Sequence, residues 1–259
     1  MRTVLATRYV TPLREGGSLP AIVEGEDAGL YVMKFRGAGQ GLRALLAEVI
    51  SGLLGQALGL AVPELVLLTL DPALARNEPD EEIRDLLKAS IGLNMGLDYL
   101  PGSVTFDPLA SAAPDAQLAS EVVWFDAFIT NVDRTAKNPN LLSWHRKLWL
   151  IDHGASLYFH HTWQDYLGKS QTPFPQVRDH VLLPFASRLR EAHTRLRPLL
   201  DEALLHRVLG KVPDAWLGEH VPFHSAAEHR AAYVAYLKAR ADSSTLFVEE
   251  ALRVRASLV

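Results

Sequence analysis

Asn131-Val132-Asp133-Arg134-Thr135-Ala136-Lys137-Asn138-Pro139-Asn140-Leu141-Leu142 is a polar run set between apolar stretches, and its reading decides that of the chain. Upstream, Ala119 to Thr130 has the pattern of an apolar helix and contains Phe125-Asp126-Ala127-Phe128-Ile129. Downstream, Leu141-Leu142-Ser143-Trp144 and Lys147-Leu148-Trp149-Leu150-Ile151 flank His145-Arg146 as the two strands of a hairpin. The second strand ends in Asp152-His153-Gly154, and an acid in that position often reaches into a cleft. Asp133, Asn138 and Asp152 together offer oxygen ligands of the kind Mg²⁺ takes, with room for water and phosphate. One carboxylate is then left to orient an attacking hydroxyl. Taken singly, each residue is as well explained as a builder of turns and caps.

The N-terminal part reads as strands plus one strong helix. Val4 to Val10 and Ala21 to Val23 are expected strands, separated by the turn-rich Arg14-Glu15-Gly16-Gly17-Ser18-Leu19-Pro20. Leu30-Tyr31-Val32-Met33-Lys34-Phe35 is apolar on both alternating faces, which predicts a central strand covered on both sides. Lys34 lies on the face of Leu30 and Val32, where an ammonium is costly without a partner. Leu42 to Leu58 repeats its leucines at helical spacing, with Gly41, Ala44, Glu48, Gly52, Gly55 and Gly59 on or near the opposite face. Glu48 is the lone acid of that small-residue face. A strand lysine paired with a helix glutamate is what a phosphate-binding lysine needs for a fixed orientation. The alternative is a snorkelling Lys34 and a solvated Glu48.

Glu64 to Leu70 is expected to be a strand, Pro79 to Ala89 a short helix, and Ile91 to Leu100 an extended segment. From Asp115 the pattern is largely helical apart from the hairpin, and beyond Gln176 it is helical to the end. The fold class is therefore α+β: a small β-rich lobe with one long helix over residues 1–100, and a larger α-helical lobe over 101–259. A cleft between the two is the place for chemistry. Lysine strand, glutamate helix, Asp-x-x-x-x-Asn, hairpin and Asp-x-Gly in that order are too many coincidences for turn-building alone.

These residues resemble a known family. Tyr31-Val32-Met33-Lys34 resembles the Val-Ala-Ile-Lys strand of protein kinases, and Asp133 to Asn138 matches the Asp-x-x-x-x-Asn half of their catalytic loop. Asp152-His153-Gly154 stands where Asp-Phe-Gly would. Asn131-Val132-Asp133-Arg134, Lys137 to Leu142 and Leu150 to Gly154 are similar to the motifs of the HipA-like kinases, a bacterial branch of the protein-kinase-like fold. The resemblance implies a bilobal fold, ATP and Mg²⁺, and transfer of the γ-phosphoryl group to a hydroxyl. It implies that Lys34 holds the nucleotide phosphates, Glu48 orients Lys34, and Gly16-Gly17-Ser18 covers the phosphates, with Ser18 an autophosphorylation candidate. Asp133 would be the base, and Asn138 and Asp152 the metal ligands, with Asn140 an alternative to Asn138. Lys137 would neutralise charge developing on the transferred group.

The acceptor implied is a protein serine or threonine, with a small-molecule or lipid hydroxyl as the alternative. A non-catalytic nucleotide-binding pseudokinase is the competing class, and the intact set of Lys34, Asp133, Asn138 and Asp152 counts against it. The chain departs from the kinase pattern in two places. No His-Arg-Asp triplet is present, since Arg134 follows the aspartate, and His153 replaces the phenylalanine. There is no obvious equivalent of the extra N-terminal region of full-length HipA toxins, which counts against an antitoxin partner.

Composition narrows the field. The chain has 259 residues, 48% of them hydrophobic and 22% charged, enough apolar mass for a folded core. Net charge is −4, which argues against a general nucleic-acid binder. With no cysteine, disulfides, thiolate catalysis and Cys-ligated zinc are excluded together. The most apolar stretch, Ala44 to Leu70, is interrupted by Glu48, Gln56, Pro63 and Glu64, so a helix followed by a strand is expected rather than a membrane span. A cytoplasmic location is the working expectation. Gly37-Ala38-Gly39-Gln40-Gly41 precedes the long helix, whose N-terminus could bind an anion or simply end a flexible connection. Adjacent His160 and His161 would not easily share one metal ion.

Overall fold

The computed structural model of the chain describes residues 1–13, 19–39, 41–76, 78–218 and 221–258. Its first part is built from β1 (Thr3–Pro12), β2 (Ala21–Gly25), β3 (Leu30–Lys34), α1 (Gly41–Ala57), β4 (Leu65–Leu70), α2 (Pro72–Arg76), α3 (Glu81–Ala89) and β5 (Gly92–Asp98). The strands form a closed barrel in the order β1-β2-β3-β5-β4. Closure depends on β1 changing partner along its length. Its first residues pair in parallel with β4, from Thr3 with Leu67 to Ala6 with Leu70, while Ala6 to Pro12 pair antiparallel with β2. Alternation of side chains then sends Val4, Ala6, Val23, Tyr31, Met33, Val66 and Leu68 into one apolar cluster. Gly96 on β5 is required there, because a Cβ would lie 2.5 Å from a Leu68 methyl carbon.

β3 is the central strand expected, with β2 and β5 as its neighbours. Its Tyr31 and Met33 fill the barrel, which leaves Val32 and Lys34 on the other face. α1 covers that side and is buried from Leu45 through Gly55. Leu45, Leu46, Val49, Ile50, Leu53 and Leu54 join the large core shared with the helical part, each burial contributing about 1.5–3 kcal/mol. The small-residue face of α1 is also packed rather than solvated. Gly52 lies against Leu65 of β4, and Gly55 against Val62 and Phe125, so larger side chains would hold these elements apart.

The second part begins with β6 (Val104–Thr105), which adds to the expected hairpin of β7 (Leu141–Trp144) and β8 (Lys147–Leu150) to give a sheet ordered β6-β7-β8. His145 and Arg146 at the hairpin tip both take positive φ, the backbone of a two-residue turn with matching twist. α4 (Ala116–Ile129) starts at the Asp115 cap and ends at Thr130 in the left-handed region. The continuous helix pattern expected beyond Gln176 is corrected by the structure. Short 3₁₀ turns separate α5 (Tyr166–Ser170), α6 (Leu189–Leu196) and α7 (Glu202–Leu209), and only α8 (Ala226–Asp242) and α9 (Ser244–Ala256) are long. Pro175, Pro184, Pro198 and Pro213 stand at those breaks, where a missing N–H and fixed φ stop a helix from continuing. Among the described residues no helix is long and apolar enough to cross a membrane, and Ala44 to Leu70 becomes α1 and β4.

Candidate active site

Lys34 ends β3, and Glu48 lies about two turns into α1 facing it. Their side chains form an ion pair in which Glu48 is 1% exposed, so the solvated alternative for Glu48 is ruled out. The Lys34 ammonium also donates to Asp152 Oδ1 at 2.7 Å. Burial alone would push Lys34 towards its neutral form, but Glu48 and Asp152 together raise its pKa above the usual value. Glu48 moves the other way from a free carboxylate: burial pushes its pKa up, with Lys34 opposing. For Asp152 burial is outweighed by Lys34, and its carboxyl is held well below the usual range. The cluster is therefore a cation between an ionised, part-exposed Asp152 and a deeply buried Glu48. Glu48 Oε1 also accepts the Gly154 N–H at 3.0 Å, which ties α1 to the Asp152-His153-Gly154 turn.

Asp152 follows β8 with φ of 53°, a left-handed conformation that aspartate tolerates better than most residues. The loop after α4 supplies a second group. Asn138 Nδ2 donates to Asp133 Oδ2 at 2.7 Å, and Asn140 Nδ2 reaches the same oxygen at 3.3 Å. Asn138 keeps its amide oxygen as a donor atom for a cation, while Lys137 is exposed. The hard oxygens of Asp152 and Asn138 fit Mg²⁺, and a pair of protein ligands suits an ion that completes its shell with phosphate and water. Among the described residues no cluster of three or more His, Asp or Glu side chains could hold a metal on its own.

The two groups are joined by residues that the sequence did not single out as a unit. Arg134, 1% exposed, pairs with buried Asp126 on α4 and donates to the carbonyls of Asn140 and Ile151, the second at 3.3 Å. Asn131 donates to Asp126 Oδ1 at 3.0 Å and accepts the Asp133 N–H at 3.1 Å. His180 Nδ1 accepts the Leu182 N–H at 3.0 Å, so the ring proton sits on Nε2 and is donated to Asp126 Oδ2 at 2.9 Å. Burial disfavours the charge on Asp126, but Arg134 and His180 more than compensate and hold its carboxyl far below the usual range. Asp126 is thus the post on which the Asp133 loop and the Asp152 strand end are both fixed. An acid enclosed by the aromatic and aliphatic run from Trp124 to Ile129 was the signal for it. His180 gave none.

Lys34, Glu48 and Asp152 are in direct contact, and Asp133, Asn138 and Asn140 form the adjoining loop group. Gly16, Gly17 and Ser18 lie outside the described residues. His160 is buried, with Nδ1 bonded to the Tyr233 hydroxyl at 2.8 Å. A family model described as HipA-like kinase matches residues 7–247. No curated protein matches the chain. Among solved structures the chain is similar to the Helicobacter pylori proinflammatory kinase CtkA, with 15% identity and a TM-score of 0.58. That match covers 99% of this chain and 98% of the other, and at such identity it shows the fold. A looser similarity, 12% identity and a TM-score of 0.48, is to the Golgi casein kinase with Mn/ADP bound, over 96% of this chain and 73% of that one.

Proposed function

The chain belongs to the HipA-like kinase family, and from that premise we propose that it transfers the γ-phosphoryl group of ATP, with Mg²⁺, to a hydroxyl, most readily a protein serine or threonine. The observation that carries this reading is the meeting of Lys34, Glu48 and Asp152, from three separated parts of the chain, beside a loop that presents Asp133 and Asn138. In it the enzyme is bilobal, with residues 1–100 forming the nucleotide lobe and 101–259 the catalytic lobe.

Lys34 holds the nucleotide phosphates and Glu48 keeps the lysine extended towards them. Asp152 and Asn138 hold Mg²⁺, which supplies neutralisation of phosphate charge when bound. Asp133 accepts the acceptor's hydroxyl proton as that oxygen bonds to the γ-phosphorus. The bond from the γ-phosphorus to the β–γ bridging oxygen breaks, and ADP leaves. Lys137 is on the same loop, free to approach the transferred group. Gly16, Gly17 and Ser18 would cover the phosphates. A cavity of about 480 Å³, walled by Val132, Tyr158, Pro173 and Phe174 with Lys169 and Gln176 among its polar groups, begins next in the chain to Asp133 and gives groups flanking the acceptor hydroxyl a place to dock.

The test is ATP binding by calorimetry with and without Mg²⁺, in the parent and in Asp152→Ala. Mg²⁺-dependent binding in the parent that disappears in a folded Asp152→Ala variant is expected. Equal binding by both proteins would remove Asp152 from the site.

A further inference from the structure

β8 is the outer strand of the sheet ordered β6-β7-β8, so among the described residues one of its backbone edges has no strand beside it. The register shows which residue that leaves over. Trp144 and Lys147 close the two-residue turn and bond to each other, so the ladder bonds fall on that pair and on Leu142 with Trp149. Ser143 and Leu148 are then a pair without bonds between them. Residues 141 and 143 instead face β6, where the Phe106 N–H meets the Leu141 carbonyl at 2.9 Å. The N–H and C=O of Leu148 therefore point out from the edge, as does the N–H of Leu150, which donates to the Ala61 carbonyl at 2.8 Å. Leu148 has no such partner among the described residues.

This edge borders a groove of about 1060 Å³, which lies between the residues linking α1 to β4 and the loop that leads into α4. Leu60, Val62, Leu118 and Leu148 give it apolar walls. Arg146 and Lys147 stand on its rim, both exposed, and their side chains make no ion pair or hydrogen bond among the described residues. Asp115 is its one carboxylate among those residues, and that side chain is engaged by the N–H groups of Gln117 and Leu118 as the cap of α4. Lys34, Glu48, Asp133, Asn138 and Asp152 do not line the groove.

We propose that this groove docks an acidic, extended segment of a partner protein, added as a strand to the edge of β8. The Leu148 N–H and C=O supply main-chain bonds, and the apolar walls take a side chain from one face of the added strand. Carboxylates flanking that side chain meet Arg146 and Lys147, which sets the choice of partner. A second copy of this chain suits the same edge poorly, because it would bring its own Arg146 and Lys147 against these. Leu148 precedes Asp152 by four residues, so the partner is held beside the candidate active site without entering it. Docking itself does not depend on the phosphotransfer reading.

The test is selection of a random heptapeptide display library on the purified full chain, followed by fluorescence anisotropy of the selected peptides. Sequences with carboxylates flanking an apolar residue are expected, bound more weakly as salt rises and not displaced by saturating ATP with Mg²⁺. Arg146→Gly combined with Lys147→Glu should weaken them by about tenfold or more, with two ion pairs lost and a repulsion gained. Glycine suits the positive φ at position 146, so the melting temperature should hold; Lys147→Glu alone serves if the pair is unstable. Methylating one backbone nitrogen in the middle of a selected peptide should abolish binding at the position that pairs with Leu148. No enrichment, selected peptides without acids, undiminished affinity in the variants, tolerance of N-methylation at every position, or displacement by ATP would each overturn the proposal.

Discussion

The Arg134 guanidinium and the Asp126 carboxylate are paired in the core, both side chains without solvent exposure, although one lies on the loop and the other on α4. The remaining donors of Arg134 hold the carbonyls of Asn140 and Ile151, so a single side chain sets the spacing between the Asp133 loop and Asp152. Such a pair gains little over a well-packed apolar substitute, but removing one partner strands the other charge in the core.

Asp126→Asn is therefore expected to destabilise the fold by about 3–5 kcal/mol, measured by urea unfolding. Where the variant remains folded, both its Mg²⁺-dependent nucleotide affinity and its transfer rate should fall, because Arg134 ties the Asp133 loop and the Asp152 strand end to this carboxylate together. A stability change below about 1 kcal/mol would show that the network is not the anchor described.

Lys34→Met removes the cation shared by Glu48 and Asp152 while keeping an apolar stem against the barrel. The expected result is an ATP dissociation constant raised by about 10–100-fold, the worth of one charged hydrogen bond, with far-UV circular dichroism unchanged. An unchanged dissociation constant would mean that the lysine serves the fold and not the nucleotide.

His153 should make the protein sensitive to mild acid. Burial first, and then the charge of Arg134, lower its pKa from the ordinary 6.5 to about 3. As pH falls through that interval the unfolded chain takes up a proton that the folded chain does not, so stability falls with pH, by up to about 1.4 kcal/mol per unit. The ring packs edge-on against Phe125, and His153→Phe keeps the shape while removing the titration. Urea midpoints followed between about pH 7 and 4 should fall more steeply in the parent than in His153→Phe. Parallel profiles would locate the acid sensitivity elsewhere.

The parts of the fold that could be read from sequence are those where a charge interrupts an apolar pattern. Lys34 in a strand carried a desolvation cost that called for a partner, Glu48 on a face of small residues and Asp152 at a strand end stood out as isolated acids, and the structure brings the three together. Asp126 carried the same signal. Its partners did not, because Arg134 reads as one more loop residue and His180 lies 54 positions away with no pattern around it. The closing of the barrel was equally hidden: β1 changes partner midway, where its alternation breaks after Ala6, and such a break in sequence does not say which strand it pairs with. In the helical part periodicity was visible but length was not, since prolines cut an apparently continuous pattern into short turns.

The most direct measurement is transfer from γ-labelled ATP with Mg²⁺, using the purified chain and its Asp133→Asn variant, with ATP binding measured on both. Label on the chain or an added acceptor, or released as phosphate, in the parent alone, with ATP affinity preserved in the variant, is the expected result. Nucleotide binding by both proteins with no label from either would contradict it and make the chain a binding module built on a kinase fold.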